Sequence, residues 1–283
     1  MERNFCGKTV AISGSTGGLG RELCRALAQA GAHLVLLDRN AAKADALTAD
    51  LLAEFPAVHI SHITVDLTDF ATVKAAADAL CTNPPDVLIL NAGAYAVPRF
   101  RCDTGWDNVF QINFVAPYYL ARRLKAVGCR IVAVGSIAHN YSKTDPGDVD
   151  FSTRRAASRV YGNAKRHLMF ALYSLFDGED GLAVTHPGIT LTGITAHYPR
   201  AIYWLIKPCM RLVFPSPKTA CRPILEGLFQ DCGENEWIGP RLFDIWGKPK
   251  KRTIHTCTPA EAARIARTAE KIYEELRNTY DRE

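Results

Sequence analysis

The chain has 283 residues, 48% of them apolar, with 34 Lys+Arg against 29 Asp+Glu for a formal charge of +5; this excludes a disordered or fibrous protein and gives no ground for a nucleic-acid partner. Nine cysteines lack a C-x-x-C pair or a Cys/His group at zinc spacing, so neither a disulfide framework nor a metal site is expected, and reduced thiols fit the cytoplasm. The first apolar run starts only near Val10 and breaks at Gly14, and no stretch of about 18 apolar residues is available for a membrane span.

Short Val-, Ile- and Leu-rich runs bounded by Gly, Pro or Asp predict buried parallel strands, and the segments between them place apolar residues at helical spacing. The first strand, Thr9–Ser13, leads into Gly14-Ser15-Thr16-Gly17-Gly18-Leu19-Gly20 and a helix over Leu19–Ala30. Strand, glycines and helix in that order suit a pyrophosphate: the glycines admit it to the backbone, and the helix start supplies N–H donors and a favourable dipole. A second strand, His33–Leu37, ends at Asp38, eighteen residues beyond Gly20. An acid there accepts from the adenosine ribose hydroxyls and repels a 2′-phosphate, which favours NAD; Arg39 beside it suits that phosphate and keeps NADP as the alternative.

A helix over Ala41–Phe55 leads to a third strand, Val58–Val65, and then to Asp66-Leu67, where Asp66 is a candidate partner for the adenine amino group. After a helix over Thr72–Leu80, strand Val87–Leu90 ends in Asn91-Ala92-Gly93, small enough to let the chain pass close to a cofactor. In the helical stretch Trp106–Leu124, Asn113 is an amide among Phe110, Ile112, Phe114 and Val115. It needs a specific partner, in a site or in helix packing. Strand Arg130–Val134 closes on Gly135-Ser136, which brings a hydroxyl to the same edge of the sheet, where it can hydrogen-bond a reacting oxygen. Tyr161 and Lys165 lie four residues apart on one face of the next helix. An ammonium beside a phenol stabilises the phenolate and lowers its pKa from about 10 toward the working range. His139 and Tyr141, just past the serine, fit substrate contact or loop packing equally.

After a sixth strand, Leu182–Thr185, the stretch Tyr198–Phe214 is apolar and aromatic but interrupted by Lys207, Pro208 and Arg211. It suits a substrate lid, an interfacial amphipathic helix in contact with a membrane surface, or a core-packed helix-turn-helix. An apolar helix near Ala220–Gln230, a solvated basic loop at Lys248, Lys250, Lys251 and Arg252, and an amphipathic helix from Pro259 to Tyr280 complete the chain. Strand–helix alternation without repeat or linker predicts an α/β fold, a Rossmann-type doubly wound parallel sheet. One domain is expected, 1–283, with a small helical substrate lid over 196–218.

Together these residues resemble the classical short-chain dehydrogenase/reductase family. Ser13-Gly14-Ser15-Thr16-Gly17-Gly18-Leu19-Gly20 is similar to its cofactor loop, Asn91-Ala92-Gly93 to its central motif, and Asn113, Ser136, Tyr161 and Lys165 to its catalytic tetrad. Pro187-Gly188, with Thr192, is similar to the segment that grips the nicotinamide and pyrophosphate. The resemblance implies hydride transfer with NAD or NADP. Tyr161 is then the general acid–base, Lys165 lowers its pKa and holds the nicotinamide ribose, Ser136 orients the carbonyl, and Asn113 maintains a water-linked proton relay. It also implies a homodimer or homotetramer built on the helices bearing Asn113 and Tyr161.

The 25 residues from Ser136 to Tyr161, the Gly105-Trp106-Asp107 approach to Asn113 and the His186-Pro187-Gly188 turn resemble the retinol-dehydrogenase-like branch, which implies a lipophilic alcohol and its ketone or aldehyde. Leu90 and Gly135 depart from the family's common residues, and Asp38 is unexpected in an NADP-preferring branch. Two other functions fit the same chain: a reductase of a small polar or polyketide-like carbonyl, and a non-catalytic NAD(H)-sensing regulator, against which the complete tetrad argues.

Overall fold

The structure is a computed structural model that describes residues 5–188 and 215–280. Thr192 and the stretch 198–214 lie outside the described residues. Of the predicted lid only 215–218 is described.

Among the described residues, eight strands form one sheet: β1 (Thr9–Ser13), β2 (His33–Asp38), β3 (Ile60–Thr64), β4 (Val87–Leu90), β5 (Arg130–Val134), β6 (Leu182–Thr185), β7 (Glu236–Leu242) and β8 (Trp246–Thr253). Their order is β3-β2-β1-β4-β5-β6-β7-β8, parallel throughout except for the antiparallel pair β7–β8. Strand order reverses between β1 and β4, which opens a crevice at their carboxyl ends, the place where such sheets hold ligands.

Helices α1 (Gly18–Gln29), α2 (Ala41–Glu54) and α6 (Pro217–Gly227) cover one face of the sheet. The other face carries α3 (Phe70–Thr82), α4 (108–125), α5 (Ala157–Phe176) and α7 (Pro259–Tyr280). The strands read as unbroken apolar runs because both faces are buried. In β4, Val87 and Ile89 enter the first core while Leu88 and Leu90 enter the second; in β5, Val132 and Val134 oppose Ile131 and Ala133. Each fully buried Ile or Leu contributes about 1.5–3 kcal/mol of transfer free energy.

Two elements depart from the sequence expectation. The basic residues Lys248, Lys250, Lys251 and Arg252 are on β8, not in a loop. Strand signals are weak there because Pro240 faces Pro249 across the pair and β8 is an edge strand, where lysines and prolines discourage further pairing. The predicted helix over Trp106–Leu124 begins at Asn108 and contains a wide π-type turn, Gln111–Val115, that carries Asn113.

α7 lies across α4 and α5. Its apolar residues Ile265, Ala269, Ile272, Tyr273 and Leu276 recur at helical spacing and are buried in the second core. Tyr273 packs on Tyr119 at 5.4 Å between centroids, Arg122 donates to Glu270 at 2.7 Å, and Tyr280 packs on Phe70 at 4.8 Å. The helix surface that the family resemblance gave to a partner subunit carries a helix of the same chain. Among the described residues no helix is long and apolar enough to cross a membrane. Replacing Ile265 by Ala is expected to remove about 2–5 kcal/mol of stability, read as a lower urea midpoint at unchanged slope.

Candidate active site

The glycine loop after β1 is held from two sides. Both oxygens of Asp38, at the end of β2, face it: Oδ1 accepts from Thr16 N at 3.2 Å and Thr16 Oγ1 at 2.8 Å, while Oδ2 accepts from Ser15 N at 3.1 Å and from Ser15 Oγ. From the β4 side, Asn91 Nδ2 donates to Ser13 O and Gly14 O at 3.0 and 3.1 Å, and Ser13 Oγ accepts from Asn91 N and Ala92 N, both at 3.1 Å. Gly14 sits at φ +67°, and a Cβ on it would lie 2.9 Å from Ala92 Cα; a Cβ on Gly20 would lie 2.2 Å from Gly14 O. These contacts leave no room for side chains at either position.

The loop ends at the start of α1, and here a ligand fits. Asn40 caps α2, Asp69 caps α3 and Ser216 caps α6, each with its own side chain. α1, whose N-cap is Gly17, has no side-chain cap and no acid in its first turn, as is also true of α5 at Ala156, but only α1 follows the glycine loop at the end of β1. Its N–H groups, at the carboxyl end of β1, are therefore available to an anion such as a pyrophosphate.

Asp38 plays a different part from the one expected. Four loop donors occupy its carboxylate, which leaves little capacity for ribose hydroxyls, although a fixed negative charge remains. Arg39 is exposed. Asp66 caps its own turn, accepting from Thr68 N at 2.9 Å and Thr68 Oγ1 at 2.7 Å through Oδ1, and the Leu67 carbonyl accepts from Gln111 Nε2 at 3.0 Å.

At the ends of β4 and β5 the structure assembles Asn113, Ser136, Tyr161 and Lys165. Asn113 Nδ2 donates to Ala94 O at 2.9 Å and Val109 O at 2.8 Å, and its Oδ1 accepts from Ala94 N at 3.3 Å. The amide thus holds the segment after Gly93. Both of its N–H groups are committed, so the expected water relay has only the second lone pair of Oδ1 to use. A Cβ on Gly93 would lie 2.9 Å from that oxygen.

Burial pushes the Tyr161 phenol up to about 12, against the pull of its hydrogen bond with Ser136. Burial also takes Lys165 down to about 8. Its ammonium donates to Val134 O at 2.9 Å and stands 5.8 Å from the Tyr161 ring centroid. Desolvation outweighs the Ser136 hydrogen bond, so the phenol is protonated near pH 7. Apolar and aromatic neighbours surround it, with Val109, Ala138, Phe151 and Val160 buried and Tyr95 and Val97 partly so. Tyr95 meets Tyr161 edge to face at 5.5 Å.

A buried network behind Ser136 was not legible in the sequence. His139, fully buried, donates from Nδ1 to Ser136 O at 2.7 Å and accepts at Nε2 from Thr256 Oγ1 at 2.9 Å. Packing, not substrate contact, is its part, whereas Tyr141 is 54% exposed. Arg166, next to Lys165, donates to His139 O at 3.1 Å, to Thr256 O at 2.5 Å and to Glu261 Oε2 at 2.6 Å. The His139 ring meets Trp237 at 5.5 Å, and Trp237 stacks on His186 at 4.9 Å and 7°. Burial takes His139 down to about 4 and His186 to about 3, so both are neutral near pH 7. Gly162 lets α5 close on this turn, since a Cβ there would lie 2.2 Å from Ala138 O.

The short chain dehydrogenase family model matches residues 8–145. A Streptomyces antibioticus protein named "Probable oxidoreductase" is 33% identical over 69% of this chain and 68% of its own length. The chain belongs to the short-chain dehydrogenase family. Mouse retinol dehydrogenase 12 is 27% identical over 83% of this chain and 81% of its own, in keeping with the retinol-dehydrogenase-like branch. L-sorbose reductase from Gluconobacter frateurii, solved with NADPH and L-sorbose, shares the fold at a TM-score of 0.60 and 21% identity, over 80% of this chain and 92% of that one.

The Arg166–Glu261 pair gives this member of the family a pH signature. Burial acts to raise the Glu261 pKa, but hydrogen bonds from Arg166 and Thr144 overcome it and hold the carboxyl at about 2, against about 4.3 unfolded. Its stabilisation is complete above pH 4.3 and is lost as pH falls toward 2. Replacing Glu261 by Gln is expected to cost about 3–5 kcal/mol at pH 7 by stranding Arg166. The gap from the parent in urea unfolding should narrow progressively below pH 4.3.

Proposed function

We propose that the chain interconverts a lipophilic alcohol and its ketone or aldehyde with a nicotinamide dinucleotide. The observation that carries this is the meeting of Ser136, Tyr161 and Lys165 in an apolar surround, at the sheet edge where α1 begins uncapped. When bound, the dinucleotide supplies or accepts the hydride. In the reducing direction the Tyr161 hydroxyl, protonated at neutral pH, donates its proton to the carbonyl oxygen, and Ser136 Oγ hydrogen-bonds the same oxygen. The Lys165 ammonium offsets the negative charge left on the phenolate. Asn113 acts as a positioning residue for the Gly93–Ala94 segment.

The apolar neighbours of Tyr161 and the similarity to a retinol dehydrogenase support a bulky lipophilic substrate over a small polar one. Exchanging Tyr161 for Phe is expected to lower kcat for carbonyl reduction by about 10²–10⁴-fold, with dinucleotide affinity by fluorescence nearly unchanged. Retention of full turnover by that variant overturns the acid–base reading. A series of alcohols of increasing chain length should show kcat/KM rising with size.

Between the two dinucleotides, the fixed carboxylate of Asp38 favours NAD, since it repels a 2′-phosphate. Exposed Arg39 favours the second reading, NADP, the reduced form of which the sorbose reductase binds. Steady-state comparison should give a higher kcat/KM with NAD, and Asp38→Asn should shift the ratio toward NADP. A preference for NADP that Arg39→Ala removes overturns the assignment.

A further inference from the structure

Beyond the active site, the most exposed aromatic among the described residues is at the tip of the β7–β8 hairpin. Phe243 is 81% exposed, Leu242 53% and Trp246 40%. Exposed apolar residues gathered at one tip mark a contact surface more often than singly scattered ones do. The turn is shaped to present them: Phe243 and Asp244 both take positive φ, +53° and +56°, Ile245 N donates to Leu242 O at 3.0 Å, and Arg252 ties down the Asp244 carboxylate.

Directly behind the tip is a collar of cations. Residues 241–252 hold five Lys and Arg and a single acid, Asp244, which Arg252 neutralises. Lys251 pairs with Glu236 at 3.0 Å, whereas Arg241, Lys248 and Lys250 are exposed. The β7–β8 register shifts by one residue between Pro240 and Leu242, so Trp246 shares a face with Leu242 and Pro249, while Lys250, opposite Gly239, shares the other face with Arg241. Along the hairpin the apolar group is outermost, with Arg241, Lys248 and Lys250 one to four residues inward.

We propose that this hairpin is a membrane-docking element: Leu242, Phe243 and Trp246 enter the headgroup boundary of an anionic bilayer while Arg241, Lys248 and Lys250 meet its phosphates. The layering matches that of an interface, where aromatic rings sit at headgroup level and basic residues are drawn by surface charge. A nucleic-acid groove calls instead for aromatics interleaved with the cations for base stacking. Docking also places the active site against the lipid. His186 Nε2 lies 3.2 Å from Asp244 O, and a Cβ on Gly188 would lie 3.2 Å from Ile245 O, so the tip adjoins the His186-Pro187-Gly188 turn at the sheet edge that carries Ser136. The docking surface stands whatever the substrate proves to be.

The test is flotation of the full chain with vesicles of phosphatidylcholine alone or with about 30% phosphatidylserine. Binding is expected only to the anionic vesicles, and it should fall steeply as salt shortens the Debye length. The double variant Lys248→Gln, Lys250→Gln should weaken partitioning about 25-fold, at about fivefold per cation. Phe243→Asn, which keeps a residue tolerant of positive φ, should weaken it about tenfold. Thermal midpoints and lipid-free turnover should match the parent in both variants, which separates this outcome from any failure of the catalytic reading. Vesicle binding equal to the parent's in both variants overturns the proposal, as does absence of flotation. Retention on duplex DNA that needs the lysines but not Phe243 also overturns it and assigns the cations to nucleic acid.

Discussion

A guanidinium shut away from water at Arg166 constrains the whole catalytic half of the molecule. Its side chain is 2% exposed, and its donors reach the carboxylate of Glu261 and the carbonyls of His139 and Thr256. A buried cation tolerates few other environments, because losing one partner leaves the full desolvation cost uncompensated. Three separate segments must therefore converge on it: α5, the turn after Ser136 and the start of α7. Lys165 is its neighbour on α5 and Tyr161 lies one turn before that, so the same convergence sets where the phenol stands relative to Ser136. Gly162 allows the closest approach, and the His139–Trp237–His186 stack extends it to the turn at Pro187-Gly188.

At the other end of the crevice the same principle of polar satisfaction works by contrast. Asp38 and Asn91 use their side chains to immobilise the glycine loop, and Asn113 does so for the chain after Gly93. The start of α1 remains without a side-chain cap. Rigid surroundings with uncommitted N–H donors are what a preorganised anion site requires. Asp38, Asn91 and Asn113 thus support the site more than they line it.

α7 and the β7–β8 hairpin lie outside the residues 8–145 matched by the family model. α7 spreads over α4 and α5, so the surface beside the tetrad is internal. The hairpin closes the sheet with an antiparallel edge rich in lysine and carries its aromatic tip beside the His186-Pro187-Gly188 turn. One element turns a flat helical surface inward, and the other turns a polar edge outward.

The sequence by itself determined the first six strands, the helices between them, the strand-glycine-helix order, the placement of Ser136 at a strand end and that of Tyr161 and Lys165 one helical turn apart. Those features are local: an unbroken apolar run, a glycine spacing or an i, i+4 pair specifies its own geometry. Tertiary structure alone decided that Asp38 grips Ser15 and Thr16, that burial keeps Tyr161 protonated beside Lys165, and that Lys248 and Lys250 belong to an edge strand. It also brought Glu261 to Arg166 across 95 residues. Desolvation depends on everything packed around a group, and an edge strand or a buried ion pair is defined by its distant partner, so neither leaves a periodic trace in the chain.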